Sequence, residues 1–398
     1  MTDAPGDRFV AVLASYLLAR GWFRGRCAPC GRTYFSKEAR TCGSPWCPGS
    51  GAAATARRSP ARPQHRSVAA QWRRLRGTFE RRGLTPFALS DLDRTAVDTD
   101  LVVSALQYLD PVVHAAAPAP RGIRVLAQPC VRWQYQPEAG RQQGVSTSFV
   151  NLSSLEVGGP RLVEEVATHL DHWLEGLSAM GIHAREVVVA LTDEECAYGP
   201  YRGCRADLNC AGVEIGEINW YHHVENAADP AMSVIDFGFS FERIAWVAAR
   251  PDDYHALLSP IFVPPGTEGA VLNDRIRTLA LLSLFGLTPG SRGARRRLRN
   301  VADELAVPFL RGVNLHGCLE HAGRFWRQFV PADALHPDGL RAAGEAVERQ
   351  AIARLATALE LPAPPGNLAF AEAADFLSAR SGAPGAVPRA VAALATAA

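Results

Sequence analysis

Two groups of residues have types and spacings suited to chemistry. The first is the stretch Ser233-Val-Ile-Asp-Phe-Gly-Phe-Ser-Phe-Glu-Arg-Ile-Ala-Trp246, in which an apolar strand pattern passes a small-residue step and continues at helical spacing. It predicts Asp236 at a strand end and Glu242 and Arg243 at the start of a helix. A carboxylate beside a helix N-terminus, with an arginine one turn in, suits a ligand that carries both an amine and phosphates. The competing reading is an ordinary solvated ion pair on a helix. The second group is Cys27-Ala-Pro-Cys30 with Cys42-Gly-Ser-Pro-Trp-Cys47, two short knuckles with Gly31, Gly43 and Pro45 at the turns. Their spacing predicts a tetrahedral zinc site made of Cys27, Cys30, Cys42 and Cys47. With all four positions taken by protein its role is structural, contributing on the order of 10 kcal/mol of folding free energy to a segment too small to fold alone.

Composition narrows the chemistry further. A chain of 398 residues can bury a large core and hold two or three units. A net charge of +2 excludes nothing, but Lys37 is the only lysine, so no core lysine is available for a Schiff base or a phosphate loop. Nine cysteines, four of them in metal-like spacing, argue for a reducing compartment, so a cytoplasmic location is expected. The acidic start and the amphipathic run from Phe9 to Ala19 predict a first helix rather than a signal peptide. No apolar segment reaches membrane-spanning length, so a soluble protein with no membrane partner is expected.

The elements that must position these residues read in order as follows. A helix at 7–20 precedes the cysteine knuckles, and Pro60 to Pro63 reads as a linker. Residues 67–83 form a helix with an arginine-rich face, and a helical run at 96–108 ends at Tyr108-Leu-Asp-Pro111. Residues 122–157 read as an antiparallel hairpin with a long loop from Gln136 to Gly144 and Arg132 near its base. A helix at 161–181 and a strand at 185–192 follow, then an irregular segment from Glu194 to Cys210. An alternating run from Gly212 to Trp220 carries Glu214 and Glu217. Strands without βαβ alternation imply a mainly antiparallel sheet in an α+β domain. From about 270 onward the pattern is helical. The resulting division is a helix and zinc module at 1–63, a catalytic-type domain at 64–262 and a helical domain at 263–398.

Several of these runs, in order, resemble the alanyl-tRNA synthetases, a class II family, and among them the archaeal type. Gly21 to Cys47 resembles their N-terminal cysteine module, and Tyr108-Leu-Asp-Pro111 the end of class II motif 1. Gln128-Pro-Cys-Val-Arg132 with Gly140-Arg141 and Thr147-Ser-Phe149 resembles motif 2, and Ile235-Asp-Phe-Gly with Phe241-Glu-Arg-Ile-Ala-Trp246 resembles motif 3. Asn273-Asp-Arg-Ile-Arg277 and Gly293-Ala-Arg-Arg-Arg-Leu-Arg299 resemble the opening of the helical tRNA-recognition domain. The resemblance implies a class II antiparallel sheet flanked by helices, with the zinc module before it and the helical domain after it. It implies a nucleotide site of Arg132, Arg141, Asn151 and Arg243, with Arg132 on the α-phosphate and Arg243 at the γ-phosphate end of ATP. For the amino acid it implies Asp236 on the amino group and Asn219, Cys196 and Asp207 nearby. Glu214 is a candidate magnesium carboxylate, as is Asp207, and Arg295, Arg296, Arg297 and Arg299 are candidate tRNA phosphate contacts.

The departures from the family pattern fall in the pocket. Gly144-Val145 stands where the family has an Arg-His pair, Val150-Asn151 where it has Glu-Met, and Ser240 where motif 3 has a glycine. The segments Cys196 to Asp207 and Ile218 to His222 also differ from the family's loop and amino-acid strand. The family's editing and C-terminal domains are expected to be absent, since the histidines of His316-Gly-Cys-Leu-Glu-His321 lack the spacing of the editing site and read as helix-surface residues. The expected function is therefore an aminoacyl-transferring enzyme of a specialised, secondary-metabolite pathway. It would handle alanine or a similar small amino acid, through ATP and magnesium or from aminoacyl-tRNA, and deliver it to a non-standard acceptor, with a nucleoside among the candidates. The alternatives are a reduced tRNA-charging synthetase and a non-catalytic binder of tRNA or an adenylate.

Overall fold

The computed structural model describes residues 4–49, 67–89, 91–93, 99–133, 143–192, 195–249, 254–258, 266–366 and 368–397. Helix α1 (Pro5–Ala19) leads into the hairpin β1 (Phe23–Arg26) and β2 (Thr33–Ser36), and α2 spans Val68–Arg81. A 3-10 turn (Ala105–Leu109) and the short α3 (Asp110–Val113) precede β3 (Arg124–Val131) and β4 (Ser148–Gly158). Next come α4 (Val166–Met180), β5 (Val187–Leu191), β6 (Cys196–Tyr198), β7 (Tyr201–Cys210), β8 (Val213–Val224) and β9 (Ser233–Ser240). The remainder is helical: α5 (Phe241–Ala249), α6 (Tyr254–Leu258), α7 (Gly266–Leu284), α8 (Gly293–Leu310), α9 (Leu315–Trp326), α10 (Gly339–Ala358), α11 (Phe370–Ser381) and α12 (Ala386–Ala397).

The strands form one sheet in the order β1-β2-β5-β7-β8-β9-β4-β3, with β6 on β7, and every one of these pairs is antiparallel. The antiparallel α+β expectation holds. The N-terminal hairpin joins this sheet through β2 and β5, so the cysteine module lies on the end of the sheet rather than apart from it.

Side-chain alternation divides the two faces of the sheet. On β9, Ile235, Phe237 and Phe239 enter the main core, where Phe239 stacks on Trp173 of α4 at 3.8 Å between centroids. That face is covered by α1, α2 and α4. The alternate residues Asp236 and Gly238 turn to the other face and line a cavity. α5 follows β9 directly, and α7 joins it to the helical layer through Arg277, whose side chain is 2% exposed.

Three expectations need correction. Asp236, expected at a strand end, lies in the middle of β9 and is paired on both sides, because the apolar alternation continues through Phe237 and Phe239 to Ser240. In the segment expected to be irregular, from Glu194 to Cys210, residues 196–210 form the hairpin of β6 and β7 turning at Gly199, whose φ is 52°. Its period-two signal, Ala206, Leu208 and Cys210 inward, is obscured by Arg205, Asp207 and Asn209, polar residues that are also held by the fold. In the described part of the helical run expected at 96–108, only the 3-10 turn is helical, because Gln107 folds back to accept the Val103 and Ser104 amides and closes a short turn capped by Ser104. Residues 94–98, the linker at Pro60 to Pro63 and most of the Gln136 to Gly144 loop lie outside the described residues. The arginine-rich face of α2 is partly occupied within the protein: Arg76 pairs with Glu80, and Arg82 with Glu175 and Asp171.

Candidate active site

The cavity, of about 410 Å³, rests on the open face of β4, β9, β8 and β7 and is closed at its sides by β6 and the start of α5. Its floor contains a row fixed by strand register: Asp236 on β9 lies opposite Asn219 on β8, which lies opposite Arg205 on β7. The register thus brings together three residues far apart in the chain. Gly238 adds open floor, since a Cβ there would meet nothing nearer than 3.8 Å.

Asp236 is 6% exposed and accepts a hydrogen bond from the Ser153 hydroxyl at 2.5 Å. Burial pushes its carboxyl up to about 7; Glu217 adds to the rise, while Ser153 and Arg132 oppose it. A positively charged amine arriving beside it would favour the ionised form. Cys196 and Asn219 are close by, with the thiol directed at the Asn219 carbonyl oxygen at 3.7 Å, and burial raises the thiol above its ordinary value.

Arg243 projects from the first turn of α5. Its Nε donates to the Gly144 carbonyl and its Nη1 to the Glu214 carbonyl, each at 3.0 Å, and Nη1 lies 3.5 Å from the Glu214 carboxylate. Gly144 has φ of 66°, and a Cβ there would lie 3.0 Å from Arg243 Cγ. The absence of a side chain at 144 is therefore tied to the seat of Arg243. Glu214 lies between Arg243 and Arg205, the latter at 3.7 Å, and burial raises its carboxyl against the pull of Arg243. Arg132 leaves the end of β3, donates from Nε to the Val103 carbonyl at 2.8 Å and lies over the Phe149 ring at 5.0 Å.

The cavity gathers Arg132, Asn151, Cys196, Glu214, Asn219, Asp236 and Arg243 from the residues singled out in the sequence. Asn151 uses its amide inside the wall: its oxygen accepts the Ala105 amide at 2.8 Å and the Ser104 hydroxyl at 3.3 Å, and its nitrogen donates to the Phe239 carbonyl at 3.2 Å. Asp207 is not among the lining residues. It is buried between Arg32 at 3.0 Å and Arg205 at 2.7 Å, bracing the cysteine module and the cavity wall. Arg295, Arg296 and Arg299 are exposed on α8, whereas Arg297 lines a neighbouring chamber. Arg141 lies outside the described residues.

Beneath the site lies a support whose pairing across elements the sequence did not show. The Glu242 carboxylate is fully buried, accepts the Val150 amide at 3.0 Å and pairs with Arg277 of α7 at 2.7 Å. Asp274, one turn before Arg277, accepts both the amide and the hydroxyl of Thr147 at 2.6 Å. Burial raises both carboxyls, with Arg277 opposing it at Glu242 and Thr147 opposing it at Asp274. The three-residue spacing of Asp274 and Arg277, which puts them on one helix face, was the available signal. Arg205, Glu217, Tyr198 and Tyr221 also line the cavity and were not singled out as site residues.

The four knuckle thiols lie within 4.8 Å of one another, with Cys27 and Cys47 at 3.7 Å and Cys30 and Cys42 at 3.6 Å. Tetrahedral zinc–thiolate bonds of about 2.3 Å place sulfurs about 3.8 Å apart, so this donor set fits a closed structural zinc site. Among the described residues it is the only group of three or more ligands so placed. Also among them, no helix is long and apolar enough to cross a membrane.

No protein-family profile matches the chain. It is 23% identical over 256 residues to the alanine–tRNA ligase of Korarchaeum cryptofilum (strain OPF8), an alignment covering 61% of this chain and 27% of that protein. The chain therefore spans about a quarter of that curated relative's length. The crystal structure of pyrrolysyl-tRNA synthetase from Desulfitobacterium hafniense is similar with a TM-score of 0.34 and 16% identity, covering 52% of this chain and 78% of that one. At this distance the chain is similar to aminoacyl-tRNA ligases, without a particular amino acid being singled out.

Proposed function

We propose that this chain is a synthetase-like aminoacyl-transferring enzyme whose cavity holds the adenylate end of a small aminoacyl donor, with alanine the first candidate, and passes the acyl group to a non-standard, nucleoside-type acceptor of a specialised pathway. The observation that carries this reading is the convergence of a buried carboxylate, Asp236, with the guanidiniums of Arg132 and Arg243 around one cavity. Asp236 would take the amino group, and the arginines the phosphate. Activation joins a carboxylate oxygen of the amino acid to the α-phosphorus of ATP and releases pyrophosphate, and fixed guanidiniums promote it by positioning and electrostatics. Glu214 would offer one carboxylate to a magnesium ion, which would offset the charge that builds on the phosphates. Zinc at the four cysteines would hold the N-terminal module on the sheet and take no part in the transfer.

The altered pocket supports the specialised acceptor. With Gly144 and Val145 in place of the family's Arg-His pair, and Arg243 engaged by Glu214, the triphosphate side of the cavity carries less free positive charge than the family pattern implies. The test is amino-acid-dependent exchange of pyrophosphate into ATP across the small amino acids, run beside consumption of aminoacyl-tRNA. Exchange assigns the ATP route, and consumption without exchange assigns the tRNA route. Absence of both removes the reading. Conventional tRNA charging is the second reading, favoured by the exposed Arg295, Arg296 and Arg299 on α8. Acylation of purified alanine tRNA tests it directly.

A further inference from the structure

A second chamber, of about 750 Å³, adjoins the cavity and shares Arg132 and Tyr198 with it. Its other walls include Trp133, just after β3, Asp100, and Arg297 from α8. The Arg297 guanidinium lies 5.5 Å from the centroid of the Trp133 ring and 4.0 Å from Asp100, the outer limit of an ion pair, with its side chain 48% exposed. An arginine resting on a partly buried tryptophan is by itself an ordinary packing arrangement. Here it lines a chamber that also includes Arg132, a residue of the candidate active site. The Arg297 guanidinium suits a phosphate, an indole suits a stacked base, and a carboxylate suits the hydroxyls of a ribose.

We propose that this chamber seats the acyl acceptor as a phosphate-bearing nucleotide, with its phosphate on Arg297 and its base against Trp133, Arg132 being left to the donor's phosphate. The role as acceptor rests on the proposed function; the binding does not. In the transfer, the hydroxyl or amine of this nucleotide would form a bond to the acyl carbon of the adenylate while the bond from that carbon to the phosphate oxygen breaks. AMP leaves with the electron pair, and the nucleophile's proton passes to the departing phosphate.

The test uses the full chain and cytidine 5′-monophosphate, a pyrimidine nucleotide unlike the adenylate assigned to the first cavity. Calorimetric titration is run alone and after saturation with a sulfamoyl analogue of alanyl-adenylate, with cytidine and inorganic phosphate in parallel. The nucleotide is expected to bind in both cases, more tightly than either fragment and less tightly as salt rises. Arg297→Ala and Trp133→Ala are each expected to weaken it about tenfold or more while leaving the affinity for the analogue unchanged. A short 5′-phosphorylated RNA in place of the mononucleotide identifies the source: tighter binding of the RNA assigns a polynucleotide end, equal binding a free nucleotide. The proposal is overturned if the nucleotide does not bind, if the analogue displaces it, if cytidine binds as well, or if both variants bind normally. Failure of the analogue to bind while the nucleotide does would refute the proposed function and leave the chamber assigned. Matched circular dichroism melts show that the variants fold.

Discussion

Removing one partner of the Glu242–Arg277 pair should destabilise the protein more than any exposed ion pair would. Both side chains are almost completely buried, 0% and 2% exposed, and 2.7 Å apart. The guanidinium is also held over Phe325 at 4.2 Å and Trp326 at 4.7 Å. Stranding one charge of such a pair costs about 3–5 kcal/mol. Arg277 Nε has no hydrogen-bond partner among the described residues, so the pair is incompletely satisfied and the lower figure, about 3 kcal/mol, is expected for Glu242→Gln and for Arg277→Met. The double variant removes both charges and should recover about 2 kcal/mol relative to the sum of the single losses. Urea unfolding followed by tryptophan fluorescence is the assay, with Trp326 beside the perturbation. The pH dependence gives a second readout. Burial, opposed by Arg277, raises the carboxyl of Glu242 in the folded protein, so its contribution favours the fold below its ordinary value of 4.5 and is lost as pH rises through the raised one. Without Arg277 the rise is larger, and Arg277→Met should lose more stability at about pH 8 than at about pH 5. Single losses below about 1 kcal/mol that simply add in the double variant would refute the argument.

Three further outcomes are expected. Asp236 titrates at about 7 in the ligand-free site, so affinity for an amine-bearing ligand should climb as pH rises through 7, and Asp236→Asn should flatten the profile, measured by calorimetry across pH. As a group raised by burial, Asp236 favours the fold at low pH and loses that contribution above 7. Chelation of metal, or Cys42→Ser, should lower the unfolding midpoint and release zinc at one ion per chain by elemental analysis, and full stability in a metal-free preparation would count against the site. Gly144→Ala combines a φ of 66° with a contact at 3.0 Å to Arg243 Cγ and should cost about 1–3 kcal/mol while weakening phosphate binding through the displaced arginine. Normal stability and normal binding in that variant would show that the loop relaxes freely.

The strand-to-helix turn at Ser240 and Phe241, the cysteine knuckles and the hairpin carrying Arg132 were legible because each depends on local pattern: period two, period 3.6 and ligand spacing. The β6–β7 hairpin was not, because its polar alternates are satisfied by Arg32, Cys42 and other residues distant in sequence, leaving a composition that reads as loop. Asp207 was placed near the site by the resemblance, and nothing in the chain order shows that Arg32 and Arg205 hold it in the wall. Glu242 was legible as a helix-start acid, but its partner lies on α7, and only the packed structure shows that the charge is buried.

The floor row of Asp236, Asn219 and Arg205 is written in strand register, and register has no intermediate settings. A single residue inserted or deleted within β9 upstream of Asp236, if absorbed by sliding the strand, would turn Asp236 into the aromatic layer and an aromatic neighbour into the cavity. The β7–β8 pair already contains two irregularities, between Arg202 and Gly203 and between Leu208 and Asn209, and Arg205 lies on the regular stretch between them. Length changes are thus absorbed on either side of the working residue. Variation in this lineage, or in a designed descendant, should accumulate as substitutions along the row and as length changes at those two bulges, where an added residue leaves the direction of the floor side chains intact.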